Sequence, residues 1–186
     1  MTKRNEILAL VVGVVAIIAA GIWAFNLGKS QKELLTASPT IKQEQEPAET
    51  SSPIEGSLAP LFTLENLKGQ EIALEDLRGK KTLLVFFSTR CSWCIKEVPH
   101  LNELYEENKS DIEIMAISLG EAKNTVSNFV KEYEINYTVL LDKDLSVAKR
   151  YQITGTPSNF VIDEEGKISA ILPGYAEKEE LEELIQ

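Results

Sequence analysis

Phe86-Phe87-Ser88-Thr89-Arg90-Cys91-Ser92-Trp93-Cys94 is the stretch on which the fold turns, because an apolar run stops there and two cysteines open the next element. Upstream, Thr82–Ser88 (TLLVFFS) is short, apolar and rich in β-branched and aromatic side chains, as a strand covered on both faces requires. Downstream, Ile95, Val98, Leu101, Leu104 and Tyr105 share one stripe at helical spacing, which predicts a helix from Cys91 to about Asn108. At a helix start, N–H groups without intrahelical partners and the positive end of the dipole favour a thiolate. The two sulfurs are then unequal. Cys91 stands at the tip as the expected nucleophile, whereas Cys94, one turn in, is shielded and placed to resolve a mixed disulfide.

Other readings of the pair fit less well. A structural zinc site needs four ligands, and the chain offers two cysteines and one histidine. That histidine, His100, lies about 900° around the helix from Cys91 and so faces away from it. A structural staple across two residues constrains the unfolded chain very little, because the entropy removed grows with loop length. Dithiol–disulfide exchange uses the placement of both sulfurs.

Working outward, Phe62–Leu64 and Glu71–Leu74 read as strands joined by a turn at Lys68-Gly69. Ile112–Leu119 is a buried strand, Lys123–Tyr133 a helix, Thr138–Leu141 a strand and Leu145–Tyr151 a helix. Asn159–Asp163 and Ile168–Leu172 are strands about the turn Glu164-Glu165-Gly166-Lys167, and Glu177–Ile185 closes as a helix. Such alternation predicts an α/β domain with a mixed sheet: a parallel core, helices on both faces and an antiparallel hairpin at the end.

Beyond this domain, residues 57–186, the composition changes twice. Ile7 to Phe25 carries nineteen consecutive uncharged residues, which span roughly 28 Å as a helix, close to the hydrocarbon thickness of a bilayer. Residues 1–28 are therefore expected to be an uncleaved membrane anchor. Lys3 and Arg4 place the N-terminus in the cytoplasm and the domain outside it, although Lys29 and Lys32 weaken the bias. A cleavable signal peptide would have a shorter apolar core and a small-x-small site, which Asn26-Leu27-Gly28-Lys29 does not offer. Residues 29–56, rich in Ser, Thr, Glu, Gln and Pro, read as a flexible stalk.

The chain of 186 residues has 44% hydrophobic and 26% charged residues, which excludes wholesale disorder. Its net charge is −10, and the domain holds 14 Lys and Arg against 23 Asp and Glu. A body that acidic repels phosphate backbones, so no nucleic-acid partner is expected.

A second motif, Gly155-Thr156-Pro157-Ser158-Asn159-Phe160-Val161-Ile162-Asp163, follows 63 residues after the first. Pro157 is either the trans start of an edge strand or a cis residue whose preceding backbone, at Thr156, faces a ligand sulfur. With these pieces in view, residues 57–186 resemble the thioredoxin superfamily, and more narrowly its membrane-anchored TlpA/ResA/CcmG-type thiol–disulfide oxidoreductases. The matching pieces are Ala59-Pro60-x-Phe62-x-Leu64, Leu77-x-Gly79-Lys80, Cys91-Ser92-Trp93-Cys94, Glu97-x-Pro99, Gly120-Glu121 and Gly155-Thr156-Pro157. The resemblance implies a thioredoxin-like fold preceded by one transmembrane helix, with a cis Pro157 facing the cysteines. It implies a disulfide reductase of exported proteins such as apocytochrome c, fed by a membrane electron donor of the DsbD/CcdA type. No cofactor is implied beyond the redox-active Cys91–Cys94 disulfide, and no metal. One position departs from the family: Arg90 stands where Trp is usual.

Glu97 follows Cys94 by three residues and so shares its helix face. A desolvated carboxylate there takes the proton of the resolving thiol and raises thiol pKa values; a solvated one does neither. Glu121 is explained either by the family's Gly-Glu pair or by the chemistry of a helix start. Trp93 and Thr156 are candidate substrate-binding residues, with packing of Trp93 on Phe87 as the alternative for the former. His100 is expected to be structural or solvated. Two other functions share this fold. A peroxiredoxin-like thiol peroxidase needs a Pro-x-x-x-Thr-x-x-Cys loop, but Leu84 and Ser88 stand at its first two fixed positions. A non-enzymatic copper-handling module uses C-x-x-x-C with a distant histidine, and neither is present.

Overall fold

Apolar runs covered on two faces force a layered arrangement, and the computed structural model, which describes residues 53–186, shows one. The anchor read in residues 1–28 and nearly all of the stalk lie outside the described residues. Among those described, no helix is long and apolar enough to cross a membrane. The elements run β1 (Thr63–Asn66), β2 (Glu71–Ala73), β3 (Lys81–Phe87), α1 (Ser92–Asn108), β4 (Ile112–Leu119) and α2 (Lys123–Glu132). They continue with β5 (Thr138–Asp142), α3 (Ser146–Arg150), β6 (Ser158–Ile162), β7 (Ile168–Pro173) and α4 (Lys178–Leu184). A 3-10 turn at Leu74–Leu77 takes over where the sequence suggested that the second strand continues.

The seven strands form one mixed sheet in the order β2-β1-β5-β4-β3-β6-β7. β3, β4 and β5 are parallel, and the strands outside them pair antiparallel. Pairing of β1 with β5, through Glu65 opposite Leu141, extends the sheet beyond the parallel core.

Strand alternation divides the core in two. Leu83, Val85 and Phe87 pack with Val98, Leu101 and Leu104 of α1 and with Val126 and Phe129 of α2. Leu181 of α4 joins the same face. Leu84 and Phe86 point the other way, onto Val147 of α3, Leu74 of the 3-10 turn and Tyr151. Helices thus cover both faces, and β3 delivers its C-terminal end to the start of α1 with neither face exposed. This is the thioredoxin-like α/β arrangement, with the central strand carrying the cysteines.

Candidate active site

β3 ends at Phe87, and the chain turns through Ser88-Thr89-Arg90, closed by a hydrogen bond from Cys91 N to Ser88 O at 3.0 Å. Cys91 has extended backbone angles and caps α1: its sulfur accepts from Cys94 N at 3.2 Å. The expected helix thus begins one residue later, at Ser92, with Cys91 as its cap. Both thiols are free. Cys91 is half-buried and Cys94 is 3% exposed, which is the inequality expected of nucleophile and resolving residue.

The Thr156–Pro157 peptide is cis, as the resemblance implies. It brings the motif read in the sequence against the first: Cys91 Sγ donates to Thr156 O at 3.3 Å. Burial pushes the Cys91 thiol up, but hydrogen bonds from the side chains of Cys94 and Thr156 and from the backbone of Cys94 and Trp93 outweigh it, so Cys91 ionises below the ordinary thiol range. Cys94 is pushed up to about 12, first by burial and then by its hydrogen bond to Cys91. The pair thus supplies one accessible thiol that ionises more readily than an ordinary cysteine and one buried thiol that stays protonated at neutral pH.

Glu97 is 1% exposed and is no solvated helix glutamate. Its Oε1 accepts from Asn159 Nδ2 at 3.0 Å and from Ala176 N at 2.9 Å. Burial raises its pKa to about 7 against the opposing pull of those two donors. Glu97 and Cys94 line one narrow cavity of about 10 Å³ together with Phe87, Val98, Phe129 and Tyr137, at the lower limit for holding a single water. A carboxyl group that titrates near neutrality beside a buried thiol is equipped to exchange a proton with it.

Glu121 does not act at the start of α2, whose cap residue Ala122 makes no side-chain bond. Its carboxylate reaches back to the turn before Cys91, accepting from Thr89 Oγ1 at 2.6 Å, Thr89 N at 3.0 Å and Ser88 Oγ at 3.2 Å. Ser118 Oγ donates to it as well, at 2.8 Å. Burial raises its pKa, but these donors prevail and the group lies below the ordinary carboxylate range. The sequence match at Gly120-Glu121 pointed to the residue without revealing that it ties β4 to the cysteine turn.

Trp93 is 53% exposed and does not pack on Phe87, which stacks on Phe129 instead. The indole lies 5.5 Å from the ring of Tyr175, and Lys96 Nζ sits 4.7 Å above it. The same Tyr175 hydroxyl meets His100 Nε2 at 3.1 Å, so His100 supports this aromatic face. Arg90 is exposed on the turn beside Cys91. At the two positions that differ from the peroxidase loop, Leu84 is fully buried on the far face of the sheet and Ser88 is bound to Glu121. Sequence reasoning missed Asn159 and Tyr175. The signal for Asn159 was a polar residue inside the otherwise apolar strand SNFVI.

An accessible cysteine capping a helix, a buried partner one turn in and a cis-proline backbone opposite define a dithiol oxidoreductase of the thioredoxin fold. Residues 56–171 match the AhpC/TSA family, and the chain belongs to that family. Its curated relatives include the thiol-disulfide oxidoreductase ResA of Bacillus thuringiensis subsp. konkukian, 39% identical over 132 residues, 70% of this chain and 76% of that one. ResA of Bacillus subtilis is 42% identical over 121 residues, 64% of this chain and 68% of the relative. Among solved structures, the thioredoxin domain of a thiol-disulfide oxidoreductase from Bacteroides vulgatus aligns with a TM-score of 0.64 at 30% identity, covering 73% of this chain and all of that one. A thiol:disulfide interchange protein from Chlorobium tepidum gives 0.64 at 26% identity, over 69% and 93% of the two chains. The protein is a thiol–disulfide oxidoreductase of the ResA type.

Proposed function

We propose that this oxidoreductase is anchored by residues 7–25, faces the outside of the cytoplasmic membrane, and reduces disulfides in exported proteins such as apocytochrome c. Its electrons come from a membrane dithiol donor of the DsbD/CcdA type. The observation that carries the reducing direction is the buried Glu97 beside Cys94. A couple becomes oxidising when its reduced form is stabilised as thiolate. Here the Cys94 thiol is pushed up to about 12 and the buried carboxyl of Glu97 lines the same cavity, so Cys94 adds no thiolate to the reduced pair and only the lowered Cys91 works in the oxidising direction.

In the proposed cycle the Cys91 thiolate attacks a partner disulfide, forming a Cys91–partner bond and releasing one partner thiolate. The partner backbone lies along Thr156, and the Trp93–Tyr175 face borders the docking site. Cys94 then gives its proton to Glu97, attacks Cys91 Sγ and expels the second partner thiolate. The partner disulfide is reduced by two electrons and Cys91–Cys94 is oxidised to a disulfide.

The test is trapping. Full-chain Cys94→Ser should accumulate mixed disulfides with exported proteins in the membrane fraction, apocytochrome c among them, whereas Cys91→Ser should trap little. Equal trapping by the two variants, or capture confined to cytoplasmic proteins, would overturn the proposal.

A further inference from the structure

Asn159 lies two residues beyond the cis Pro157 on β6 and is fully buried. It sits opposite Val85 of β3 and Leu172 of β7, which places its side chain on the face of the sheet that α1 covers. Its Nδ2 donates to Glu97 Oε1 at 3.0 Å and to Gly174 O at 3.3 Å. Both partners are acceptors, and this fixes the orientation of the amide. Turned over, its oxygen would face two oxygens and both bonds would be lost. Ala176 N also donates to Glu97 Oε1. Two donors therefore hold one carboxyl oxygen, while the buried Glu97 Oε2 has no hydrogen-bond partner.

We infer that Asn159 is a positioning residue for the resolving step: it pins Glu97 through Oε1, leaves Oε2 to exchange the Cys94 proton, and sets the pH at which that oxygen is free. The inference rests on the reading of Glu97 as the proton acceptor. A donor to a carboxylate favours its ionised form and burial opposes it. Without Asn159, Ala176 alone would offset the burial, and Glu97 would keep its proton to higher pH. The other titratable groups around Glu97 are Cys94 and Cys91 of the α1 start, Tyr137 at the entry to β5 and Tyr175 in the loop after β7. Burial holds both tyrosines above their usual range, so they stay neutral where Glu97 titrates.

The resolving step can be watched alone in the reduced full chain with 5,5′-dithiobis(2-nitrobenzoate). Cys91 attacks this aryl disulfide and releases the first thionitrobenzoate; Cys94 then attacks Cys91 Sγ and releases the second, its proton going to Glu97. With Cys91 capped as a mixed disulfide, its own charge drops out of the second step. In the parent, the rate of second release should rise with pH through a midpoint near 7 and then flatten. In Asn159→Leu that midpoint should move alkaline by about one pH unit, roughly a tenfold loss on the acidic limb, with the plateau recovered. First release should change little. A uniform loss at every pH, or an unmoved midpoint, overturns the role of Asn159 provided Glu97→Gln abolishes the midpoint in the same assay. If Glu97→Gln leaves the midpoint in place, the reading of Glu97 fails and the inference with it. Should Asn159→Leu not fold, the unsubstituted protein gives a second measurement. The Asn159 side-chain amide resonances should titrate with the midpoint of second release, and resonances that do not move would overturn the inference.

Discussion

Glu97 is the residue at which stability and chemistry pull in opposite directions. Its pKa rises from 4.5 in a solvated chain to about 7 in the fold, chiefly by burial. The folded state thus binds the proton more tightly, and stability contributed below pH 4.5 is lost as pH rises to about 7. The loss is on the order of 3 kcal/mol, from about 1.4 kcal/mol per pKa unit. Glu97→Gln keeps the Oε1 acceptor for Asn159 and Ala176 but never ionises. Urea unfolding should therefore find Glu97→Gln more stable than the parent at pH 8 and not at pH 4. The redox couple should follow the same window. Above pH 7 the parent carries a negative charge beside Cys94 that Gln lacks, so the variant should be more oxidising. A tenfold change in the exchange equilibrium corresponds to about 30 mV. Equal potentials at pH 8 would separate the charge of Glu97 from the thiols.

At the scale of elements, the active site is assembled from pieces distant in sequence, and this decides which parts were legible. The β3–α1 unit was readable because one apolar run and one helical stripe meet at the cysteines. The strands and helices after it followed from the same periodicities. Pairing of β1 with β5 left no local mark, since Glu65 and Leu141 meet only in the fold. The short 3-10 turn after β2 contains the same apolar residues a strand would use. Three-residue spacing put Glu97 on the face of Cys94, but its burial depends on Asn159 and Ala176, 62 and 79 residues away. Glu121 shows the same limit: the carboxylate of the β4–α2 loop orders the turn before Cys91, 32 residues earlier. Its folded pKa is depressed, so the stability it contributes is present above the solvated value of 4.5 and lost as pH falls through the folded one. Glu121→Gln should cost about 1–3 kcal/mol at pH 7, where part-buried donors lose a charged acceptor, and progressively less as pH falls through the folded pKa. Urea unfolding from pH 7 downward checks this; a pH-independent difference would mean that the carboxylate charge is not what holds the turn.

For the whole molecule, the proposed reduction brings the domain to oxidised proteins, which persist outside the reducing cytoplasm. The apolar run Ile7–Phe25, with Lys3 and Arg4 before it, supplies the proposed route to that compartment. The proposed topology makes the half-buried Cys91 reachable from outside the cell membrane, while Cys94 stays shielded by its own fold. In spheroplasts or protoplasts, external protease should digest the domain and leave a short membrane-bound fragment. A membrane-impermeant maleimide should label reduced parent protein in the same preparation and should fail on Cys91→Ser, because the remaining thiol is only 3% exposed. The two readouts fail differently. Protection from both reagents until the cells are lysed would place the domain in the cytoplasm, with its disulfide chemistry unexplained by location. Digestion and labelling of a protein recovered in the soluble fraction, lacking about its first 30 residues, would instead make the apolar run a cleaved export signal. That result would leave the exchange chemistry intact and remove the anchor.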